Sequence, residues 1–507
     1  MTMMSRVLGL VRDIIFAPLM GAEGNADAFF VAFKIPNFFR RLFAEGAFAQ
    51  AFVPVLSEYR ENGTHAAVRH FVDRMAGCLG ISLVALTVLV VTASPVFTAI
   101  FGLGFYLDAA NPDKFWLTVD LLRITFPYLL LISLTGFAGA ILNSYDQFAV
   151  PAFTPVFLNI VLIFSAVVAT PFFQEPAFAL AWGVLIAGVI QCVFQVPFLM
   201  RLGLMPTPKV DWSDQSVRKV LRLMAPAIFG VSVSQINLMF DTMLASFLPT
   251  GSISWLYFSD RLVELPLGVF AVGIATVILP NLSRLHVNDG QAFSDTLDWA
   301  LKMVLLIALP ASIALVILAT PLLFTLFQYG KYSSGDVDMA GLSLQAYAFG
   351  LTAFMLIKVL VSGFFSRQDM KTPVRIGVIA MISNMVLNVV FVLPLHILWQ
   401  IGHVGLALAT SASALLNAGL LFRTLRKQSI YRLSKGWNIF CLRIFLANLT
   451  MLAVLLLMRQ YLPEFAELGW WQRCLNLSLI VFTGLMAYII GLFATGLRLG
   501  DLRLRIR

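Results

Sequence analysis

Residues 177–201 read AFALAWGVLIAGVIQCVFQVPFLMR, and the first charge in that run is its last residue, Arg201. A hydrocarbon slab about 30 Å thick is crossed by about 20 helical residues. A soluble helix of this length would show a continuous polar face; here only Gln191 and Gln195 are strongly polar. Blocks of the same kind recur along the chain, about 14 of them on the spanning-length criterion. They fall near residues 2–20, 27–58, 77–102, 116–142, 152–173, 177–201, 218–248, 253–285, 296–327, 340–366, 373–398, 402–425, 437–461 and 470–497. The expected fold is an all-α polytopic membrane protein.

Composition agrees with that class. Of 507 residues, 60% are hydrophobic and 12% charged, whereas soluble domains are about half apolar and about a quarter charged. The four cysteines, Cys78, Cys192, Cys441 and Cys474, are widely spaced, so neither a disulfide framework nor a CxxC site is available. A net charge of +9 would suggest nucleic acid in a soluble protein. Here the basic residues lie mostly between apolar blocks, which points to the cytoplasmic leaflet and its anionic lipids instead.

The loops alternate in charge. Arg201 to Arg222, Arg423 to Lys435 and Arg498 to Arg507 are basic, whereas Gly21 to Ala26 and Pro249 to Ser252 carry no Lys or Arg. The positive-inside rule then puts the N-terminus and the C-terminus both inside, although the loop Asn143 to Gln147 departs from it. No cleavable signal peptide is expected, because Arg6 and Arg12 interrupt the first apolar run.

An internal repeat organises the blocks. VPVLS at Val53 to Ser57 returns as LPNLS at Leu279 to Ser283. Pro95, Phe101 and Gly104 return as Pro321, Phe327 and Gly330, and Thr154-Pro155-Val156 as Thr372-Pro373-Val374. Three ordered matches displaced by about 220 residues suggest a duplicated six-helix unit. The expected domains are an N-terminal lobe, 1–201, a C-terminal lobe, 218–425, and two extra helices within 437–497. Two copies inserted the same way up place a substrate cavity at their interface near the midplane.

Charges inside membrane helices are costly and mark functional sites. This chain concentrates them in the first two helices of each half. Segment one carries Arg6, Arg12 and Asp13; segment two carries Asp27, Lys34, Asn37, Arg40, Arg41 and Glu45; segment eight carries Asp260, Arg261 and Glu264. Asp27, Lys34, Arg41 and Glu45 share a helical register that Pro36 should disturb. Structural ion pairs or snorkelling account for some of these residues, but Arg40 and Arg41 lie far into a long helix. Guanidinium keeps its charge when desolvated and grips phosphate oxygens in a fork, which suits a diphosphate headgroup. Asp241, Asn384 and Asn388 form a separate candidate, oxygen ligands for Na⁺ deep in apolar helices, against the alternative that buried Asn bonds a neighbouring helix. No GxxxxGK[ST] motif occurs, so ATP is not the direct energy source and no cofactor is expected. Membrane potential, an ion gradient or downhill substrate flux would drive transport.

SRVLGLVRD, ADAFFVAFKIPNFFRRLFAEGAFAQAFVPVLSEY, SWLYFSDRLVELP and FSRQDMKTPV closely resemble the MurJ (MviN) family over essentially the whole chain. That family comprises lipid II flippases of the multidrug/oligosaccharidyl-lipid/polysaccharide exporter superfamily, in the bacterial inner membrane. The resemblance implies fourteen helices, two six-helix lobes around a central cavity, and alternating access. It implies that Arg6, Arg12, Arg40, Arg41 and Arg261 hold the lipid diphosphate, that Asp27 is the acid beside the gate, and that the last two helices form a groove for the polyprenyl tail. Family members usually carry further residues ahead of the SRVLG motif, so the chain is expected to open partway through their first helix. The alternatives are an ion-coupled drug exporter of the same superfamily, which should show acidic cavity residues rather than arginines, and another oligosaccharide-lipid exporter. A polyprenyl-phosphate enzyme would need an acidic metal motif or a large catalytic domain, and neither is in the sequence.

Overall fold

The computed structural model describes residues 2–42, 48–288 and 290–498, with the side chains of residues 2, 3, 229, 234 and 286–288 left aside. It is helical, with no strand among the described residues. The chain divides into two compact units, Met1–Ser254 and Trp255–Arg507.

The first unit contains α1 (Thr2–Met20), α2 (Gly24–Phe39), α3 (Ala49–Asn62), α4 (His65–Thr92), α5 (Ser94–Phe101), α6 (Leu103–Leu107), α7 (Pro112–Thr125), α8 (Tyr128–Ser144), α9 (Ala149–Phe164), α10 (Pro176–Arg201) and α11 (Gln215–Ala245). The unit boundary falls in the first turn of α12 (Ser252–Pro266). Then follow α13 (Val272–Asn288), α14 (Gly290–Ile317), α15 (Ala319–Leu326), α16 (Ser334–Phe365), α17 (Lys371–Trp399), α18 (Gly402–Lys427), α19 (Trp437–Tyr461) and α20 (Trp470–Ala494). Among the described residues, twelve helical stretches are long and apolar enough to cross a membrane. They correspond to the third through fourteenth expected segments. The first two expected segments are the charged α1, of 19 residues, and the α2–α3 stretch, in which α2 has 16. Two boundaries also differ from expectation. The third segment begins at His65, where the Thr64 hydroxyl accepts the Ala67 amide at 3.2 Å as an N-cap. The fourth is broken at Pro127 into α7 and α8.

Packing follows membrane rules. In the first unit Phe48, Phe52, Phe71 and Phe137 interlock, with ring centroids 5.0 to 6.0 Å apart, binding α3 to α4 and α8. In the second unit Gly350 of α16 lets α18 approach so closely that a Cβ there would sit 2.6 Å from Ser411 Oγ. That hydroxyl donates to the Ala346 carbonyl at 2.7 Å, the small-residue contact plus hydrogen bond that holds helices together in lipid. The helices α19 and α20 pack on each other and are tied to α14 and α15. Buried Arg473 of α20 donates to the carbonyls of Phe324 (3.0 Å), Gln328 (3.2 Å) and Ala466 (3.0 Å). Tyr488 donates to the Leu306 carbonyl at 2.8 Å.

The repeat has structural counterparts. Asp73 in α4 accepts the Thr207 amide and hydroxyl, both at 2.7 Å, fixing the chain that leaves α10. Asp298 in α14 accepts Tyr431 OH (2.6 Å), Ser434 Oγ (2.7 Å) and Trp437 Nε1 (2.6 Å), fixing the chain that leaves α18. Each aspartate sits in the third helix of its half and holds the segment that follows the sixth.

The second helix of each half also carries a π-helical stretch. Besides the π stretch Ser165–Ala169 after α9, residues 40–42 and, separately, Phe48 are π-helical in the first unit and Leu267–Ala271 in the second. Each second-helix stretch lies upstream of its VPVLS or LPNLS copy. A π turn widens the helix and shifts every following side chain around the axis.

Candidate functional site

The charged residues singled out in the sequence do not have one common environment. Asp27, on the first turn of α2, is 1% exposed. Its Oδ2 accepts Lys114 Nζ at 3.0 Å and the Gly251 amide at 2.8 Å. Its Oδ1 accepts the Ser254 amide at 3.0 Å and the Ser254 hydroxyl at 2.6 Å. Lys114 Nζ also lies 4.2 Å from the Phe105 ring centroid. A buried carboxylate is tolerated when several donors and a counter-charge replace its water, and Asp27 has both. It therefore fastens the turn between α11 and α12 onto α2.

Arg12 and Asp13 form a sealed pair on α1, 5% and 0% exposed. Asp13 Oδ1 accepts Arg12 Nε at 2.9 Å and Nη2 at 2.7 Å, while Nη1 donates to Asn159 Oδ1 at 3.1 Å. Asn159 Nδ2 in turn donates to the Ser5 carbonyl at 3.0 Å, so this network seams α1 to α9. Arg6, on the same helix, is half-buried.

Along α2, Lys34 Nζ donates to Thr242 Oγ1 of α11 at 3.1 Å. Pro36 has no amide for the Ala32 carbonyl, and Thr125 Oγ1 donates to that carbonyl at 3.3 Å. Asn37 Nδ2 donates to the Phe33 carbonyl at 2.8 Å and Asn37 Oδ1 accepts Arg40 Nε at 3.2 Å. Arg40 and Arg41 lie on the π stretch, the first half-buried and the second exposed. Pro36 and the π-helical residues 40–42 interrupt the regular helix between Lys34 and Arg41. Asp27 is sealed, Lys34 is half-buried, Arg41 is accessible, and Glu45 lies outside the described residues.

In the second unit α12 has two faces. Trp255 Nε1 donates to Asp336 Oδ1 at 2.9 Å, and the Trp255 ring lies 4.8 Å from His403. Ser259 Oγ donates to the Ala340 carbonyl at 2.6 Å, and Phe258 packs 4.9 Å from Phe327 and 5.3 Å from Tyr332. Positions 255, 258 and 259 thus dock one face into the unit and fix the rotation of the helix. The other face carries Tyr257, Asp260, Arg261 and Glu264. Arg261 Nη1 meets Glu264 Oε2 at 2.9 Å and Nη2 donates to Tyr257 OH at 3.1 Å. Asp260 is exposed.

The candidate cation ligands are distributed over both units. Asp241 Oδ2, in the first, accepts Asn237 Nδ2 at 3.3 Å. Asn384 and Asn388, in the second, are buried, with Asn388 Nδ2 donating to Asn384 Oδ1 at 3.0 Å and Asn384 Nδ2 to Ser413 Oγ at 3.4 Å. Among the described residues, no three His, Cys, Asp or Glu side chains gather as a metal cluster.

The sequence reading did not single out Lys114, Ser254, Tyr257 or Asp336. Lys114 and Asp336 sit outside the apolar blocks, so nothing marked them as partners of buried residues. Tyr257 carried a usable signal, four residues before Arg261 on a helix.

A sequence model of the family described as lipid II flippase MurJ matches residues 16–495. The chain belongs to that family. A protein of Vibrio cholerae named probable lipid II flippase MurJ is 49% identical over 99% of this chain and 96% of its own length. A Burkholderia cenocepacia protein named lipid II flippase MurJ is 42% identical over 86% and 84% respectively. A solved structure of a lipid II flippase MurJ in an inward closed conformation superposes with a TM-score of 0.81 at 28% identity, over 97% of this chain and 96% of that one. An inward-facing multidrug resistance transporter of the MATE family shares the fold alone, with a TM-score of 0.68 at 15% identity over 84% of this chain and 95% of that one. Membership of the MurJ family makes this chain a multi-pass membrane transporter rather than an enzyme, and agrees with the resemblance carried by PNFFRRLFAEGAF and SDRLVELP.

Proposed function

We propose that this chain moves lipid II from the cytoplasmic to the periplasmic leaflet of a bacterial inner membrane by alternating access, with arginines of each unit as ligands for the diphosphate. The observation that carries the reading is the division among the arginines. Arg12 has its guanidinium committed inside a sealed network, whereas Arg40, Arg41 and Arg261 keep accessible surface on the second helix of each half. Arg12 then shapes α1, and the accessible arginines with Arg6 meet the headgroup, while Lys34, Glu45, Asp260 and Glu264 set the surrounding charge and Asn37 orients Arg40 through its Oδ1. A diphosphate entering a low-dielectric site loses its hydration and must be met by fixed cationic donors. Asp27 is read as the gate acid. Its bonds to Gly251 and Ser254 hold a turn closed, and opening requires them to break. The helices α19 and α20 are read as the groove for the polyprenyl tail.

Arg40→Ala, Arg41→Ala and Arg261→Ala are expected to lose complementation of a flippase-depleted strain and outer-leaflet headgroup exposure. Each change removes a charge-assisted contact worth roughly 2–5 kcal/mol where the pair is desolvated. Lysine keeps the charge without the planar fork, so Arg→Lys should restore function only in part. If all three alanine variants insert and flip at the wild-type rate, these arginines are not headgroup ligands.

The orientation that fits the basic loops is N-in and C-in. Single cysteines at Gly24 and Thr250 should react with an impermeant thiol reagent from outside, and one at Lys427 should not. Protection at Gly24 with labelling at Lys427 would invert the assignment.

The drive is read as Na⁺ or the membrane potential, with Asp241, Asn384 and Asn388 as the candidate Na⁺ ligands; Asn384 and Asn388 are buried mid-helix in α17. Asp241→Asn should lower turnover and flatten its dependence on Na⁺, with Asn384→Ala and Asn388→Ala acting in the same direction. Three variants with the wild-type Na⁺ response would remove this part of the reading.

A further inference from the structure

The Arg261 guanidinium is gripped from two sides by groups of different chemistry. Glu264, one turn ahead, offers a charged oxygen at 2.9 Å. Tyr257, one turn behind, offers a neutral hydroxyl at 3.1 Å and the ring, whose centroid lies 5.3 Å from the guanidinium carbon. The Arg261 side chain is 28% exposed and that of Glu264 45%, so the ion pair is partly screened and exchangeable. A docked face through Trp255, Phe258 and Ser259 stops the helix from rotating, so the arginine can change partner without the backbone turning.

We propose that Tyr257 and Glu264 form a cradle in which Arg261 exchanges counter-ions during transport: Glu264 holds the guanidinium in the empty carrier, the lipid diphosphate takes the place of Glu264, and Tyr257 keeps the guanidinium aimed in both states. The proposal rests on Arg261 being a headgroup ligand. A diphosphate offers more charge and a bidentate edge, so it displaces a single half-exposed carboxylate. Tyr257 does not compete for that charge. Its hydroxyl and the face of its ring stabilise the cation whichever anion is present, and with only two χ angles it loses little freedom in doing so. Glu264 thereby opposes binding, which keeps the headgroup releasable on the far side. Tyr257 is a positioning residue, acting through Arg261.

The test is the Kd of the purified full chain in nanodiscs for lipid II, at fixed salt, with thermal unfolding of each variant as the fold control. Tyr257→Phe keeps the ring and loses one hydrogen bond, so the Kd should rise about fivefold. Tyr257→Leu, which loses the ring face as well, should weaken binding further. Glu264→Gln keeps an oxygen but gives up the competing charge, so it should lower the Kd severalfold while slowing headgroup appearance outside. A purely structural Glu264 would not tighten binding on neutralisation. If Arg261→Ala weakens binding while either Tyr257→Phe or Glu264→Gln keeps the wild-type Kd, the cradle is wrong and the headgroup reading stands. The cradle is equally wrong if Glu264→Gln weakens binding. If Arg261→Ala itself binds lipid II at the wild-type Kd, the headgroup reading fails and the cradle with it.

Discussion

An ionised side chain in a low-dielectric slab must find an opposite charge, a set of hydrogen bonds or a polar cavity. That constraint sorts the charged residues of this chain. Asp27 has Lys114, two backbone amides and a hydroxyl. Arg12 has Asp13 and Asn159, and Arg473 has three backbone carbonyls. These satisfied groups stitch helices together, and removing one partner from any of them would leave a buried charge exposed to hydrocarbon. Arg40 and Arg261 also have partners, Asn37 for the first and Glu264 with Tyr257 for the second, but they and Arg41 retain accessible surface. Under the proposed function these accessible guanidiniums, Arg40 and Arg41 in the first unit and Arg261 in the second, are the groups that a polyanionic substrate would meet.

Recurrent features fall at matching places in the two halves. Each half closes on itself by the same device, an aspartate in the third helix gripping the segment after the sixth, Asp73 through Thr207 and Asp298 through Tyr431, Ser434 and Trp437. Each half also interrupts its second helix with a π stretch, and the arginines lie on or near those helices' interruptions. A π turn persists only where side chains around it reward the irregular geometry, which is why such turns cluster at functional positions. The two halves have diverged in what they keep. The first keeps Arg40-Arg41 on its interruption, and the second keeps Arg261, with Tyr257 and Glu264, one to two turns ahead of its own.

The membrane class and the family were legible in the sequence because they are written in composition and contiguous motifs. Twelve of the expected segments recur as long apolar helices. The charged residues were legible as exceptions, and the local pair Arg261–Glu264 follows from helical spacing, but partners distant in sequence were not legible. Nothing in the string ties Asp27 to Ser254, or Arg12 to Asn159, since contacts across more than a hundred residues depend on tertiary packing. The helical register through Asp27, Lys34 and Arg41 assumes 3.6 residues per turn, which Pro36 was expected to disturb and which the π-helical residues 40–42 interrupt. Tyr257 was recoverable, because an aromatic residue four places before a membrane arginine shares its face.

The central claim is that this polypeptide by itself, without nucleotide, transfers a diphosphate-linked lipid between leaflets. The direct measurement reconstitutes the purified chain into liposomes loaded with headgroup-labelled lipid II and follows label accessibility to an impermeant quencher or enzyme. The account predicts that the accessible fraction rises above that of protein-free vesicles at a rate proportional to the protein added, and that ATP does not change the rate. Equal rates with and without protein, in vesicles where the chain is shown to be folded and inserted, would contradict it.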